Sequence, residues 1–297
     1  MWYPLVLAAT AAWAGISVID SSLVKRYEKH PLILLWSQSL FTVPALILLS
    51  LLIDVHTAWW PMLMLAGMAA YLGDIYFFLI LERVDASISS LAWAILTILL
   101  SIAGFLLFDE AWSFNQGLGA ALVLGGALLL PLQRSRLITF RSLALLTGLA
   151  IFYVPVSLAK KASMAAGLSI EPVFFWLLIG RELLSFSGVW FVPSLRRRVK
   201  TLNTRVGPHF YLMAASVIGL FFLGEYFGTL SYRTGQLSLV SIVGNIQPFI
   251  VMILGWLCHR HTPSFTPKEL LDADSVRAKL LSFMLVFLGL ALLAVSQ

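Results

Sequence analysis

Two acidic residues interrupt apolar stretches of this 297-residue chain in the same three-residue setting. Asp74 ends a Leu-Gly-Asp tripeptide within AAYLGDIYFFLIL, and Glu225 ends a Leu-Gly-Glu tripeptide within LFFLGEYFGTLSY, 151 positions later. A charged residue inside a membrane helix costs about 2.5–3.5 kcal/mol on insertion scales, so it usually faces a wet cavity or a partner. We expect both acids to bind a proton or a cationic group, with a hydrogen bond to a neighbouring helix as the structural alternative.

A second charged element, Arg181-Glu182, lies at the centre of the apolar segment FFWLLIGRELLSFSG. Adjacent residues on a helix point about 100° apart, so these side chains are not expected to form a self-contained ion pair. Each should find a partner on another helix, and Asp74 and Glu225 are candidates for Arg181. A guanidinium at this position could instead bind a substrate carboxylate or phosphate through two hydrogen bonds.

Side chains that share a helical face with the two acids are expected to line a cavity. Positions three before and four after an acid lie on its face, and aromatic rings there could bind an organic cation. The two glycines that precede the acids, Gly73 and Gly224, are expected to let neighbouring helices approach closely. The residues predicted to contact a substrate are Tyr71, Phe78, Trp93, Arg181, Glu182, Phe222, Thr229, Asn245 and Gln247.

A third acid in an apolar segment, Asp20, lies five residues before Lys25. At that distance from a predicted helix end, a side chain can reach the membrane interface or a lysine. We expect Asp20 to do one of these rather than to serve the cavity.

The composition indicates that lipid surrounds most of the chain. Hydrophobic residues make up 60% of it and charged residues 11%, with a mean hydropathy of +0.93. Soluble domains carry roughly 25% charged residues, whereas a membrane helix needs about 20 apolar residues. Such stretches fill nearly the whole chain, which predicts an all-α polytopic membrane protein. Nucleic acid binding is not expected, since cytoplasmic loops explain the net charge of +6.

Apolar runs between charged or turn-rich breaks predict ten transmembrane helices. The first run lacks a preceding basic region and a following small-residue cleavage site, so we expect a retained helix rather than a signal peptide. The predicted ranges are 3–22, 32–53, 59–81, 86–108, 113–132, 142–160, 172–194, 208–232, 236–258 and 277–296.

The distribution of Lys and Arg predicts the orientation of these helices. The odd-numbered loops hold sixteen of these residues, while the even-numbered loops hold three, namely Lys160, Lys161 and Arg233. The positive-inside rule then places the odd-numbered loops in the cytoplasm and both termini outside. No Asn-x-Ser/Thr sequon occurs in the sequence, which fits a prokaryotic origin. We therefore predict a location in the cytoplasmic (inner) membrane of a prokaryote.

The repeated tripeptide belongs to a longer internal repeat. Residues 71–107 align with 222–258 without a gap, with nine identities and with Asp74 opposite Glu225. This match predicts two five-helix repeats, 1–132 and 142–297, within a single membrane domain. Because five is odd, the second repeat must cross the membrane upside down. Inverted repeats are typical of secondary transporters that bind substrate near the midplane.

Several motifs resemble the EamA-type repeat of the drug/metabolite transporter superfamily. They are Ala-Ala-Trp-Ala-Gly (11–15), Arg-Val-Asp-Ala-Ser-Ile-Ser-Ser-Leu (83–91), Phe-Asp-Glu-Ala-Trp (108–112) and, in the second half, Tyr-Arg-Thr-Gly with Asn-Ile-Gln-Pro (232–235, 245–248). The resemblance implies ten helices in two inverted repeats around a cavity lined by helices other than the fifth and tenth. It also implies export or exchange of small metabolites. The predicted outside termini depart from the familiar bacterial members, which keep both termini in the cytoplasm.

Together these patterns predict a proton-coupled secondary transporter that moves a small organic metabolite or drug-like solute by alternating access. The open alternatives are an exporter of lipophilic or quaternary cations and a flippase for a lipid-linked substrate. The sequence contains no His-Glu-x-x-His or Gly-x-Ser-x-Gly motif, and His259 and His261, which flank an arginine in a charged loop, are expected to be solvated. We therefore expect no enzyme activity, metal or other cofactor. The expected partners are the substrate and membrane lipid, in a monomer or homodimer.

Overall fold

The computed structural model describes residues 2–83, 89, 91–132, 140–261 and 273–295, which are almost entirely helical. Most of the predicted motif at 83–91 lies outside these residues. The helices of the described part are α1 (Tyr3–Arg26), α2 (Pro31–Leu52), α3 (Trp60–Leu81), α4 (Leu91–Leu107), α5 (Phe114–Leu132), α6 (Phe140–Ala165), α7 (Ile170–Phe191), α8 (Pro193–Arg205), α9 (Pro208–Thr234), α10 (Leu237–Gly244), α11 (Gln247–His261) and α12 (Ala273–Val295).

Proline fixes the start of five of these helices. α1, α2, α3, α8 and α9 each carry a proline at the first or second helical position. The missing N–H of proline costs nothing there, because the first N–H groups of a helix have no internal partner. The predicted starts of the first, second, third and eighth helices are accordingly correct to within one residue.

Seven helical segments of the described chain are long and apolar enough to cross a membrane, one of them made by α10 and α11 together, and two shorter helices are also apolar. Many large apolar side chains are exposed on the outer faces of the bundle, among them Leu51, Phe114 and Phe287. In water such a surface would aggregate, whereas in a bilayer it contacts acyl chains. The chain is therefore a polytopic, all-helical membrane protein.

The structure departs from the predicted elements in three places. The predicted ninth helix is divided at Asn245 into α10 and α11. The predicted sixth helix, 142–160, extends to Ala165, so Lys160 and Lys161 belong to α6 and not to a loop. The predicted seventh helix, 172–194, ends at Phe191, and most of the following segment, predicted as a cytoplasmic loop from residue 195, belongs to the helix α8.

The unpredicted helix α8 is amphipathic. Leu195, Val199 and Leu202 recur at helical spacing and are buried, while Arg196 and Arg197 are exposed. This period of three to four residues is typical of a surface helix. The prediction was wrong here because it rested on total hydropathy, which is low in α8, and not on periodicity.

The helices pack in a definite set of pairs. α1 lies along α9, α3 lies between α6 and α7, α2 packs on α7, and α4 on α10. α5 and α12 pack chiefly on each other, where Gly119, Gly126 and Gly289 let the two backbones approach. These pairs leave a space at the centre of the bundle that α5 and α12 do not reach.

Candidate functional site

The central space is a cavity of about 1160 Å³, including its opening. Its described lining comes from α1, α2, α3, α4, α6, α7, α9, α10 and α11, and not from α5 or α12. The lining agrees with what the family resemblance implied. Asp74 and Glu225 both line the cavity, as do four other predicted residues, namely Phe78, Trp93, Arg181 and Gln247.

One cluster of charges joins α3 to α7. Arg181 Nε lies 2.6 Å from Asp74 Oδ2, and Arg181 Nη1 lies 2.6 Å from Glu182 Oε1. Of the two candidate partners of Arg181, Asp74 is the one in contact. Arg181 and Glu182 also contact each other, but the pair is not self-contained, as predicted, because each side chain has a further partner on another helix, Asp74 on α3 and Ser39 on α2. The forked guanidinium allows this, since it directs one nitrogen to the other helix and another to its own neighbour.

Neighbouring side chains complete this cluster. The Tyr153 hydroxyl donates to Asp74 Oδ1 at 2.5 Å, and the Ser39 hydroxyl donates to Glu182 Oε2. The Arg181 guanidinium lies over the Phe221 ring, 4.6 Å from its centre, where a cation is attracted to the ring face. Each of the three charged groups therefore has partners, as buried charges require.

Two glycines bring the backbones of α3 and α7 together. A Cβ at Gly67 would overlap the carbonyl oxygen of Leu177, and a Cβ at Gly180 would overlap that of Met64. Small residues allow such close approach between membrane helices. The contact lies next to Arg181 in α7, so it sets the distance across which Arg181 reaches Asp74.

The second repeated acid has a different partner. Lys160 Nζ on α6 lies 2.5 Å from Glu225 Oε2 on α9, and both side chains are largely buried. Lys160 was not predicted as a site residue, because the predicted helix ended there and its lysine was counted in a loop. The signal that could have found Lys160 is a lysine at the end of a long apolar segment, because a buried acid elsewhere in the chain needs a cation as its partner.

Aromatic rings pack on the glycines that precede the acids. Tyr153 lies against Gly73, and Trp13 lies across Gly224 and Gly228, with its Nε1 and Cη2 atoms at 2.6 and 2.8 Å from where Cβ atoms would be. Gly73 and Gly224 do serve packing, but the predicted close approach of helix backbones is wrong at both positions, because aromatic rings occupy the space. Both rings line the cavity beside an acid.

Five residues predicted to contact a substrate lie elsewhere. Glu182 and Tyr71 are buried beside the cavity, the Phe222 ring packs on Phe174, and Asn245 donates to Thr97 Oγ1 at 2.7 Å. Thr229 is fully buried, and none of the five lines the cavity. For Phe222 and Thr229 the reason is rotation, since α9 turns its glycine face toward α1. The lining positions of α9 are therefore Val217, Phe221, Glu225, Gly228, Ser231 and Tyr232.

Asp20 faces the cavity, so the prediction that it would reach the interface or a lysine instead is corrected. It is 3% exposed and lines the cavity, where Gln38 Nε2 of α2 donates to Asp20 Oδ1 at 2.8 Å. The sequence shows only that Asp20 lies near a helix end. Whether its side chain faces the cavity or the membrane interface depends on which face of α1 is turned inward.

Glu110, in the loop between α4 and α5, caps another helix. Its carboxylate accepts hydrogen bonds from the backbone N–H groups of Leu237 and Ser238 and from the Ser238 hydroxyl, at the start of α10. Across the same corner, Lys161 Nζ donates to the Gly235 carbonyl oxygen at 2.7 Å, where α9 ends. An anion at a helix start and a cation at a helix end both stabilise the turn.

We predict that Glu110→Gln destabilises the protein by about 1–2 kcal/mol. The amide keeps the shape but loses the charge, and one of its two terminal atoms cannot accept from an N–H group. Asp109→Asn is the control, because Asp109 is exposed in the same loop and asparagine tolerates its φ of 50°. Unfolding in detergent measures both. A shift for Asp109→Asn as large as that for Glu110→Gln would contradict a specific cap.

The cavity and its immediate wall contain more acids than bases. Asp20, Asp74, Glu182 and Glu225 face Arg181 and Lys160. With every group ionised, this set would carry two negative charges in a mainly apolar surrounding, which is unfavourable unless protons or cations neutralise them. Within the residues that the structure describes, no group of three or more His, Cys, Asp or Glu could hold a metal ion.

An all-helical membrane bundle with a charged central cavity is the class of protein that the fold and site define. No protein-family model and no curated protein matches the chain. A solved structure described as "Crystal structure of protein" shares its fold over 99% of this chain and 96% of that one, with a TM-score of 0.71 and 16% sequence identity. At that identity the likeness extends to the fold alone.

Proposed function

We propose that this protein is a secondary transporter of a small organic solute, coupled to protons, with ten membrane spans in two inverted repeats. The observation that carries the proposal is the cavity, which is lined by helices from both halves of the chain and contains two buried ion pairs. The pair between Asp74 and Arg181 joins the two halves directly. Ionisable residues inside membrane proteins commonly mark substrate or proton pathways.

The helix pairs support the inverted repeat. In an inverted repeat, α1, α3 and α5 would correspond to α6, α9 and α12. The contact between α1 and α9 should then have an equivalent between α6 and α3, and α5 should pack on its own equivalent, α12. All three contacts occur and are among the most extensive in the bundle. In such an arrangement one half rocks against the other around the central site.

The two ion pairs suggest how a charged solute would be held. A zwitterion could exchange partners, placing its amine on Asp74 or Glu225 and its carboxylate on Arg181, which binds carboxylates through two hydrogen bonds. An exporter of organic cations is the second candidate. Its support is the excess of acids and the indole and phenol rings of Trp13, Trp93 and Tyr153 in the same cavity.

The proposed orientation keeps both termini outside, in the cytoplasmic membrane of a prokaryote. Lys160 lines the cavity, so only Lys161 and Arg233, near the ends of α6 and α9, remain on the side of the even-numbered loops. They stand against the sixteen basic residues assigned to the odd-numbered loops. Removing a buried lysine from the count makes the asymmetry greater. The positive-inside rule then favours the same orientation more strongly.

The test is uptake of a pooled metabolite mixture into proteoliposomes under an imposed pH gradient, with the contents identified by mass spectrometry. We expect one class of compound to accumulate in the wild type and its accumulation to fall at least about tenfold in Glu225→Gln, a loss of about 1.4 kcal/mol. The neutral amide leaves Lys160 charged and without its counter-ion in the cavity. Glu171→Gln, at an exposed acid of α7, is the control.

Two outcomes would count against this proposal. Accumulation that Glu225→Gln leaves unchanged would establish transport but remove Glu225 from the mechanism. No accumulation by the wild type would contradict the transport of soluble metabolites and would favour a lipid-linked substrate.

A further inference from the structure

One of the four acids at the cavity differs from the others in its partners. Asp74 and Glu182 both pair with Arg181, and Glu225 pairs with Lys160. Asp20 forms no ion pair with any described basic residue, and the hydrogen bond from Gln38 comes from a neutral amide. The other oxygen, Oδ2, receives no hydrogen bond from the described residues.

Asp20 faces the cavity and lies on a helix that packs against the second half of the chain. It is buried to 3% exposure yet lines the cavity from α1, and Gln38 lines it from α2. α1 packs along α9 of the other half and also contacts α10 and α11. A displacement of the second half relative to the first would therefore change the surroundings of Asp20.

The charges that face Asp20 can be stated helix by helix. α3 contributes Asp74, and α7 contributes Arg181, which Asp74 and Glu182 already occupy. On α9 the charged residue in the cavity is Glu225, which Lys160 occupies, while α10 has no ionisable side chain. The ionisable residues of α11 are at its far end, from Cys258 to His261. No cation on these helices is left to neutralise the Asp20 carboxylate.

We infer that the Asp20 carboxyl, held by Gln38, binds the proton that this protein exchanges across the membrane, and that Asp74 and Glu225 serve as fixed counter-ions. This inference rests on the proposed function and moves its proton from the repeated acids to Asp20. When the cavity is open to water, the carboxylate takes a proton from water and becomes a neutral acid. It returns the proton to water after the cavity opens on the opposite side.

The physical reason is the cost of closing the cavity around an unpaired charge. A carboxylate that has one neutral donor and no cation cannot leave water cheaply, whereas a neutral carboxylic acid with the same amide partner can. Asp74 and Glu225 remain paired with Arg181 and Lys160 whether or not water fills the cavity. Protonating either of them would therefore change the free energy of closing the cavity less than protonating Asp20 would. The cavity can therefore close, and open on the other side of the membrane, only when Asp20 carries a proton.

Infrared difference spectroscopy of the reconstituted wild-type protein, titrated with pH, tests proton binding without any substrate. We expect a protonated-carboxyl band that disappears on raising the pH and that is absent from Asp20→Asn. Asp54→Asn, which changes an exposed aspartate in the loop between α2 and α3, should retain the band. A titrating band that survives unchanged in Asp20→Asn would overturn the inference.

Proteoliposome transport of the compound found in the pooled-metabolite experiment tests the coupling. We expect Asp20→Asn to retain exchange of labelled for unlabelled compound but to lose accumulation driven by the pH gradient by at least about tenfold, or 1.4 kcal/mol. Asp20→Glu, which restores a carboxyl, should recover part of that accumulation. Accumulation by Asp20→Asn equal to that of the wild type would exclude Asp20 as the coupling group.

Failure of the proposed function can be told apart from failure of this inference. If the wild-type protein exchanges no compound at all, transport of soluble solutes is contradicted, while the infrared titration still decides whether Asp20 binds a proton. If the wild type transports and Asp20→Asn is indistinguishable from it, the proposed function stands and the inference falls.

Discussion

Replacing Arg181 by methionine is expected to destabilise the protein by about 3–5 kcal/mol and to abolish the proposed transport. Arg181 contacts Asp74 and Glu182 at 2.6 Å each, and all three side chains are buried. Without the guanidinium, two carboxylates remain in an apolar surrounding with no cation, and the cost of leaving buried charges unpaired is larger than the loss of the contacts themselves. Denaturant unfolding in detergent, followed by tryptophan fluorescence, gives the change in the free energy of unfolding.

A surface ion pair provides the matched control. Arg198 Nη2 lies 2.9 Å from Glu28 Oε1, with the Arg198 side chain about half exposed. The Glu28 side chain is 11% exposed, but it also accepts a hydrogen bond from the His30 backbone N–H, and removing the half-exposed Arg198 opens it to water. Arg198→Met should therefore cost about 1 kcal/mol. Arginine is replaced by methionine in both variants, so the larger loss of stability in Arg181→Met would come from the burial of that arginine.

A triple variant separates the unpaired charge from other effects of the substitution. Arg181→Met combined with Asp74→Asn and Glu182→Gln removes the whole cluster, so it should recover most of the stability while transport stays absent. Equal destabilisation in the single and triple variants would contradict the role assigned to the unpaired acids. Loss of packing against Phe221 would then be the better explanation.

Much of this architecture could be predicted, because apolar runs and proline punctuation are local properties of a sequence. The starts of α1, α3 and α9 follow from prolines beside apolar runs. The placement of Asp74, Arg181 and Glu225 at one cavity follows from the cost of burying charge, which applies to any fold the chain adopts. On the same ground the sequence indicates Asp74 and Glu225 as candidate partners of Arg181, and the structure has Asp74 in that place.

The remainder of the site depends on rotation about helix axes, which the sequence leaves open when helices are apolar on all sides. Asp20 and Lys160 lie near predicted helix ends, so they read as interface or loop residues until the true extent and rotation of α1 and α6 are known. Phe222 and Thr229 satisfy the same spacing rule as Phe78, but α9 turns Gly224 toward Trp13 and carries them away from the cavity. In an apolar helix, spacing identifies a face without showing what that face meets.

The second large effect is expected from Gly67→Ala, which adds a single methyl group where α3 meets α7. That carbon would overlap the Leu177 carbonyl oxygen and lie 3.0 Å from the backbone nitrogen of Arg181. Backbone atoms cannot move aside as a flexible side chain can, so the helices must separate. We expect a cost of about 3 kcal/mol, at the upper end for overpacking, together with weakened binding of any transported solute, because Arg181 is carried away from Asp74.

Gly219→Ala is the matched control, since Gly219 lies on an exposed face of α9 and an added Cβ would meet nothing within 4 Å. There the substitution should stabilise the helix by about 0.5–1 kcal/mol, because alanine has less backbone freedom to lose than glycine. Detergent unfolding of both variants, with exchange transport measured alongside, distinguishes a steric effect from helix propensity. If Gly67→Ala were as stable and as active as Gly219→Ala, the close approach of α3 and α7 could not be what holds Arg181 against Asp74, and the position of the ion pair would have to be set by Tyr153 and Phe221 instead.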